Sequence, residues 1–370
     1  MKLLPIYLQR RAAISSRRAA LLPIFAIATG FIVGAVVLWF SGVSPLDAYL
    51  EMFNASFGSA QGLTATFIRA APLILTGLAV AIALRMQLWN IGAEGQLLLG
   101  SAGATFVFFT WPNLPGPILL VAAAVAALIA GALWALIAAI PRATIDLNEI
   151  ITTLFLNYIA LRLVSFLVYG PWQDPGAIGF AYSKPIPPQG VMGTIWGTDL
   201  TSGVVLSIVC VAITWWGIER TRWGFSVKIL GGNPRAGAYL RLNAKRRIIS
   251  IMAISGAIAG MAGFIQLTAV TGRLQPDIAA GYGYTGILVA FLAGRSLLMI
   301  PVVGIFFSAL IQGGYSLQAQ GLSSSISTVL QGLIVLFILL GGVAATYRFR
   351  WSWTSSNSSS GMVNLNSGAR

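Results

Sequence analysis

Ten apolar stretches dominate this sequence, at 21–40, 63–84, 95–110, 118–140, 149–169, 201–218, 248–270, 284–294, 297–317 and 324–345. A helix needs about 20 mostly apolar residues to cross the hydrocarbon core of a bilayer. In lipid every backbone N–H and C=O must be satisfied within the protein, so stretches of this kind fold as helices. The predicted fold class is an all-α polytopic membrane protein with about ten transmembrane helices. The stretches 95–110 and 284–294 are short for regular spans, which marks them as broken or re-entrant elements. Between eight and eleven crossings stay open on this reading.

Composition removes most competing classes. Charged residues make up 9% and hydrophobic residues 57% of the 370, where a soluble domain carries about 25% charged residues. There is no His and a single Cys, Cys210. Histidine-based triads, histidine metal ligands and cysteine-pair redox chemistry therefore cannot be built within the chain. No G-x-x-x-x-G-K-[ST] phosphate loop occurs, so ATP is not bound here by that route.

The net charge of +14 does not point to nucleic acid, because its value lies in where the bases fall. With the N-terminus inside, nineteen of the 23 bases fall on the cytoplasmic side, eight of them between Arg220 and Arg247. Only Lys184 and Arg273 fall outside, and Arg69 and Arg162 lie within spans. This is a strong positive-inside pattern, and it predicts both termini in the cytoplasm. Residues 1–20 form a basic cytoplasmic segment, 21–345 the transmembrane domain, and 346–370 a cytoplasmic tail. That tail holds a Ser/Asn-rich stretch at 354–370 with the composition of disorder, preceded by Trp351 and Trp353 at the interface. The first span is read as retained, because no small-residue cleavage site follows it.

Two loops stand out. The outer loop at 170–200 is rich in Pro and Gly and long enough to form a small cap that meets an external partner. The cytoplasmic loop at 219–247 contains Gly231 and Gly232, which break the chain. Asn233 suits a cap and Pro234 a first helical turn, so a short helix is predicted to begin at Pro234, followed by Arg235 and Ala236. From physics alone, such a basic loop either fixes topology and touches anionic lipid, or has a further task.

Polar side chains inside apolar sequence are costly without partners. Asn90, Glu94 and Gln96 lie among glycines in residues 86–104, where close helix packing, with Glu94 paired to a base such as Arg85, competes with lining a solute pathway. Asn148 and Glu149 open a span, where an acid also serves the helix dipole. Asn157 lies deeper and needs a partner helix, a wet cavity or a polar ligand. Tyr282 and Tyr284 alternate with glycines before the short eighth span, suiting either an interfacial aromatic belt or ring stacking on a ligand. Arg69 and Arg162 sit toward span ends and are expected to snorkel.

Taken together, WNIGAEGQLLLG, LNEIITTLFLNYIA, GGNPRA and GYGYTGILVAFLAG closely resemble permease subunits of bacterial ABC importers, in the subgroup for nucleosides and simple sugars. That subgroup sits within the ribose and branched-chain amino acid permease class, and the similarity runs in order from about residue 60 to residue 345. The resemblance implies a type II-like permease fold in the bacterial cytoplasmic membrane. It also implies a second, related but non-identical permease, an external substrate-binding protein, and a cytoplasmic ATPase that binds the ATP and Mg this chain lacks. The family's ATPase-coupling helix maps onto Gly231, Gly232, Asn233, Pro234, Arg235 and Ala236. Asn90, Glu94, Gln96, Asn157, Tyr282 and Tyr284 are the candidates for the substrate pathway. The chain departs from the family after Ala236, where Gly237–Leu242 replaces the usual small or basic stretch, and after Gly294, where the next proline is delayed to Pro301. An ATP-independent secondary transporter or channel, relaying protons through Glu94 and Glu149, is the rival. A membrane-embedded enzyme is disfavoured by the missing His and unclustered acids.

Overall fold

The computed structural model describes residues 6–10, 16–195, 197–294 and 296–351. Most of these residues are helical. α1 runs Ser16–Phe40, α2 Pro45–Phe57, α3 Ala60–Leu84, α4 Ala93–Thr110, α5 Gly116–Ile145, α6 Glu149–Tyr169 and α7 Ser202–Arg220. After them come α8 Arg222–Gly232, α9 Pro234–Tyr239, α10 Ala244–Ile265, α11 Tyr282–Ala293, α12 Ile300–Ala319 and α13 Ser324–Thr346. Each of the ten apolar stretches falls in a helix. Two short strands, β1 Ile6–Arg10 and β2 Tyr347–Trp351, pair antiparallel with Ile6 opposite Trp351.

Six helices among the described residues are long and apolar enough to cross a membrane, or seven if α1 and α2, bent by 116° to each other, count as one broken span. The expected ten is thus not reached by length and composition. α4 carries Glu94 and Gln96 in its first turn, and α11 has only 12 residues. α2 is not among the ten apolar stretches, because Asp47 and Glu51 interrupt its apolar character. Ser44 accepts from the Asp47 amide and Pro45 occupies its first turn.

Contacts divide the chain into two units, Met1–Gly34 with Leu333–Arg370, and Ala35–Gly332. In the first, α1 and α13 approach closely at Gly30, where a Cβ would lie 3.2 Å from Ile334 Cα. Most of the expected tail, including Trp353 and residues 354–370, lies outside the described residues, as do residues 1–5, 11–15, Trp196 and Arg295.

In the second unit α3 is central. The membrane-crossing windows of α3 and α10 are 78% and 67% buried, against 28% for α5 and 22% for α7. α3 packs on α10, α11 and α12, and α10 packs on α4 and α5. Backbone-to-backbone approach makes these contacts tight: a Cβ on Gly131 would meet Gly256 O at 2.2 Å, and one on Gly100 would meet Gly260 at 2.4 Å. Dispersion between closely approaching small residues replaces the hydrophobic drive that lipid removes.

The described residues of the 170–200 loop form an irregular cap. Ser183 N donates to Leu274 O at 2.9 Å and Ile186 N to Gly272 O at 3.0 Å, which seats the cap on the segment entering α11. Arg273 lies over the Tyr182 ring, which stacks on Phe180.

Candidate functional site

The six pathway candidates converge on one place, where α4 and α11 both begin inside the bundle. After α3 ends, Gln87 takes a positive φ of 56° and the chain turns back toward α4. Asn90 Oδ1 accepts from Gly92 N at 3.1 Å, fixing that turn. Its Nδ2 donates to Gln96 Oε1 at 2.9 Å and to Ser255 Oγ at 2.7 Å, and Ser255 donates onward to Ala79 O at 2.6 Å. Asn90 and Gln96 are almost wholly buried. Their amides tie α3, α4 and α10 together and consume one another's hydrogen-bonding capacity.

α11 starts from an abrupt break, with Ala280 at φ 47° and Gly281 at φ 78°. No side chain at its N-cap position caps it: Tyr282 N turns back to Ala279 O at 2.7 Å, which leaves Gly281 N and Gly283 N to find acceptors elsewhere. Glu94 supplies the acceptor: Oε1 accepts from Gly281 N at 2.9 Å and Oε2 from Gly283 N at 2.6 Å. The packing alternative in which Glu94 pairs with a base such as Arg85 is therefore corrected in its partner. The carboxylate faces the positive end of α11, whereas Arg85 lies 3.9 Å from Glu219.

Asn157, on α6, closes the arrangement. Its Oδ1 accepts from Gly95 N at 2.9 Å, and its Nδ2 donates to Ile91 O at 2.9 Å and Tyr284 Oη at 3.2 Å. Tyr282 is fully buried, while Tyr284 is 40% exposed, making it the one candidate of the six with substantial open surface. Tyr282 points its hydroxyl at Arg69, whose guanidinium also sits 4.7 Å from the Tyr315 ring centre. Arg69 is thus held between two tyrosines instead of simply snorkelling. Arg162 lines an open cavity of about 530 Å³ with Phe166, Tyr169 and Pro276.

Glu149 does more than serve its own helix. It pairs with Arg142, Nε to Oε2, at 3.0 Å and accepts from Trp89 N at 3.2 Å. Arg142 also pairs with Asp146. Neither Ser255 nor Trp89 carried a signal in the sequence, because a serine in a Gly/Ala run and a backbone amide look like packing.

At the basic end, α9 begins at Pro234. Asn233 Oδ1 accepts from Arg235 N at 3.0 Å and Ala236 N at 3.3 Å. Gly231 is pressed against the end of α3, where a Cβ would fall 1.9 Å from Arg85 O. Gly232 has open space around it. Glu219 at the end of α7 pairs with Lys228 on α8 as well as Arg85, a bridge the sequence did not reveal. A cavity of about 370 Å³ opens here, lined by Ala81, Arg85, Lys228, Gly231, Ala290 and Gly294. It brings together the C-terminal ends of α3, α8 and α11.

Among the described residues no group of three or more His, Cys, Asp and Glu side chains gathers as a metal site requires. The polar groups are hydrogen-bonded to helix breaks. Fold and site together define a multi-spanning helical membrane protein in which two helices, α4 and α11, begin at backbone breaks held by buried polar side chains.

The chain belongs to the family described as branched-chain amino acid transport system / permease component, whose model matches residues 62–339. It is 35% identical over 339 residues to a glucose ABC transporter permease of Haloferax volcanii, covering 88% of each chain. It is 31% identical to a guanosine ABC transporter permease of Bacillus subtilis, covering 90% of this chain and 94% of the relative. A nucleoside ABC transporter permease of Lactococcus lactis is 30% identical, with 87% and 91% covered. No solved structure matches the chain. The protein is an ABC transporter permease component, integral to the membrane and not itself an enzyme, and ATP hydrolysis belongs to a separate subunit.

Proposed function

We propose that this chain forms half of the translocation pathway of an ATP-driven importer for a nucleoside or related simple sugar, delivered by an external binding protein. The observation that carries this reading is the near full-length similarity to permeases named for glucose, guanosine and nucleosides. The geometry adds a chemical argument for an uncharged solute. A half-helix N-terminus inside a membrane attracts anionic groups, but that of α11 is already filled by the carboxylate of Glu94.

The pathway follows the face that presents Tyr284, with Asn90, Glu94, Gln96, Asn157 and Tyr282 as its buried framework. The count of ten spans is kept, with α1, α3 to α7 and α10 to α13 as the crossings and α11 completed by the non-helical segment before it. The basic end faces the cytoplasm, and both termini lie there, in the bacterial cytoplasmic membrane. Residues 231–236 dock on the partner ATPase, which binds ATP and Mg, and a related second permease completes the pore. ATP-driven closure of the ATPases moves α9 and switches access from outside to inside.

The test is copurification of the tagged chain in mild detergent, followed by reconstitution of the copurifying subunits in liposomes. The expected result is that an ATPase, a second permease and a binding protein are recovered, and that guanosine or glucose uptake requires ATP. Arg235→Glu and Gly232→Pro are expected to leave the protein inserted but to separate ATP hydrolysis from uptake. Uptake without any ATPase, or normal uptake in both variants, would overturn the reading.

A further inference from the structure

An acid in the first turn of a helix is ordinarily explained by the dipole of that helix. Glu94 stands in the first turn of α4, yet its side chain leaves α4 and satisfies a different helix. The amides of Gly281 and Gly283, with that of Tyr284 beside them, are the orphan donors of α11. A helix that begins inside a bundle has no water to take those donors. α11 cannot cap itself, because Gly281 stands at its N-cap position and offers no side chain. The approach is also backbone to backbone: a Cβ on Gly283 would lie 2.2 Å from Glu94 N.

We infer that Glu94 is a positioning residue of transport, a charged cap lent by α4 that fixes the break of α11 and with it the two tyrosines that flank Gly283. This rests on the pathway reading above. Tyr282 is aimed at Arg69 on α3, and Tyr284 at Asn157 and the open face. Asn157 in turn binds Gly95 N, the residue after Glu94. The starts of α4 and α11 therefore share one set of bonds, and neither moves in the transport cycle without the other.

The role requires an acceptor-only group. A glutamine has the same shape, but one of its two terminal atoms is an NH2, which would face a glycine N–H donor to donor. Loss of the cap acts on the movement of α11, not on the capture of the delivered solute. The rate constant therefore falls while the half-saturating concentration of binding protein stays put.

The experiment uses the full transporter in liposomes, with ATP-driven uptake of the solute that wild type carries, normalised to inserted protein. Glu94→Gln is expected to lower the maximal rate on the order of tenfold, the cost of one lost charge-assisted hydrogen bond, with an unchanged half-saturating concentration. Glu94→Gly opens a space the size of a small carboxylate. Its rate is expected to recover in formate and not in formamide, which separates a missing charge from missing bulk. A Glu94→Gln rate equal to wild type, or a Glu94→Gly loss that formate leaves unchanged, overturns the inference. Wild-type uptake itself is the control on the pathway reading, so the ratio of variant to wild type bears on Glu94 alone.

Discussion

Asn157 shows how much one amide does when it is placed where water cannot reach. Every donor and acceptor it uses is matched: Gly95 N, Ile91 O and Tyr284 Oη. Asn157→Leu keeps the volume but leaves a buried N–H and a buried C=O at the start of α4 without partners, each worth about 1–3 kcal/mol. The melting temperature of the detergent-purified protein is expected to fall by roughly 5 °C, given about 2–4 °C per kcal/mol for chains of this order. Tyr284→Phe removes only the hydroxyl, at the edge of the network, where 40% exposure lets solvent or lipid headgroups replace it. That variant is expected to melt within about 1 °C of wild type. If the two variants melt alike, Asn157 is not the junction of α4, α6 and α11 that its bonds describe.

The contact of α5 with α10 depends on glycines in the same direct way. A Cβ on Gly260 would stand 2.2 Å from Ala127 O, in the backbone of α5, which no rotamer change relieves. Gly260→Ala is expected to lower the yield of monodisperse protein and the melting temperature, since overpacking costs about 1–3 kcal/mol. Gly217→Ala in α7, with nothing within 4 Å of the added carbon, is the matched control and is expected to be neutral or slightly stabilising. Elements of this kind were legible in the sequence to the extent that hydropathy encodes them. All ten apolar stretches became helices, the start of α9 followed from Asn233 and Pro234, and the short α11 followed from the length of the stretch 284–294, although the helix takes in Tyr282 and Gly283, which the sequence placed before it. The six polar candidates were found because polar groups stand out in apolar sequence. Their partners were not legible: that Glu94 serves α11 and that Glu219 bridges α3 and α8 depend on which helices are neighbours. α2 and the β1–β2 pairing were missed because neither is apolar enough to announce itself in a scan for spans.

At the scale of the whole molecule, charge decides direction. Nineteen of the 23 bases fall on one side of the spans in the proposed topology, and two on the other, so translocation of the basic side during insertion is strongly disfavoured. The proposed coupling depends on the same asymmetry, because α9 can meet a cytoplasmic ATPase only if its end of the bundle faces inward. Two exposed positions report on this: Ile178 in the cap, 90% exposed, and Tyr239 at the end of α9, 91% exposed. With the single native thiol removed by Cys210→Ser, each is replaced singly by cysteine and treated with a membrane-impermeant maleimide in right-side-out vesicles. Ile178→Cys is expected to label at once, and Tyr239→Cys only after the vesicles are made permeable. The opposite pattern would turn the molecule over, put α9 beyond the reach of any ATPase, and leave the basic loop as a lipid contact. Labelling of both without permeabilisation would mean that the insertion is mixed, which so one-sided a charge distribution is expected to prevent.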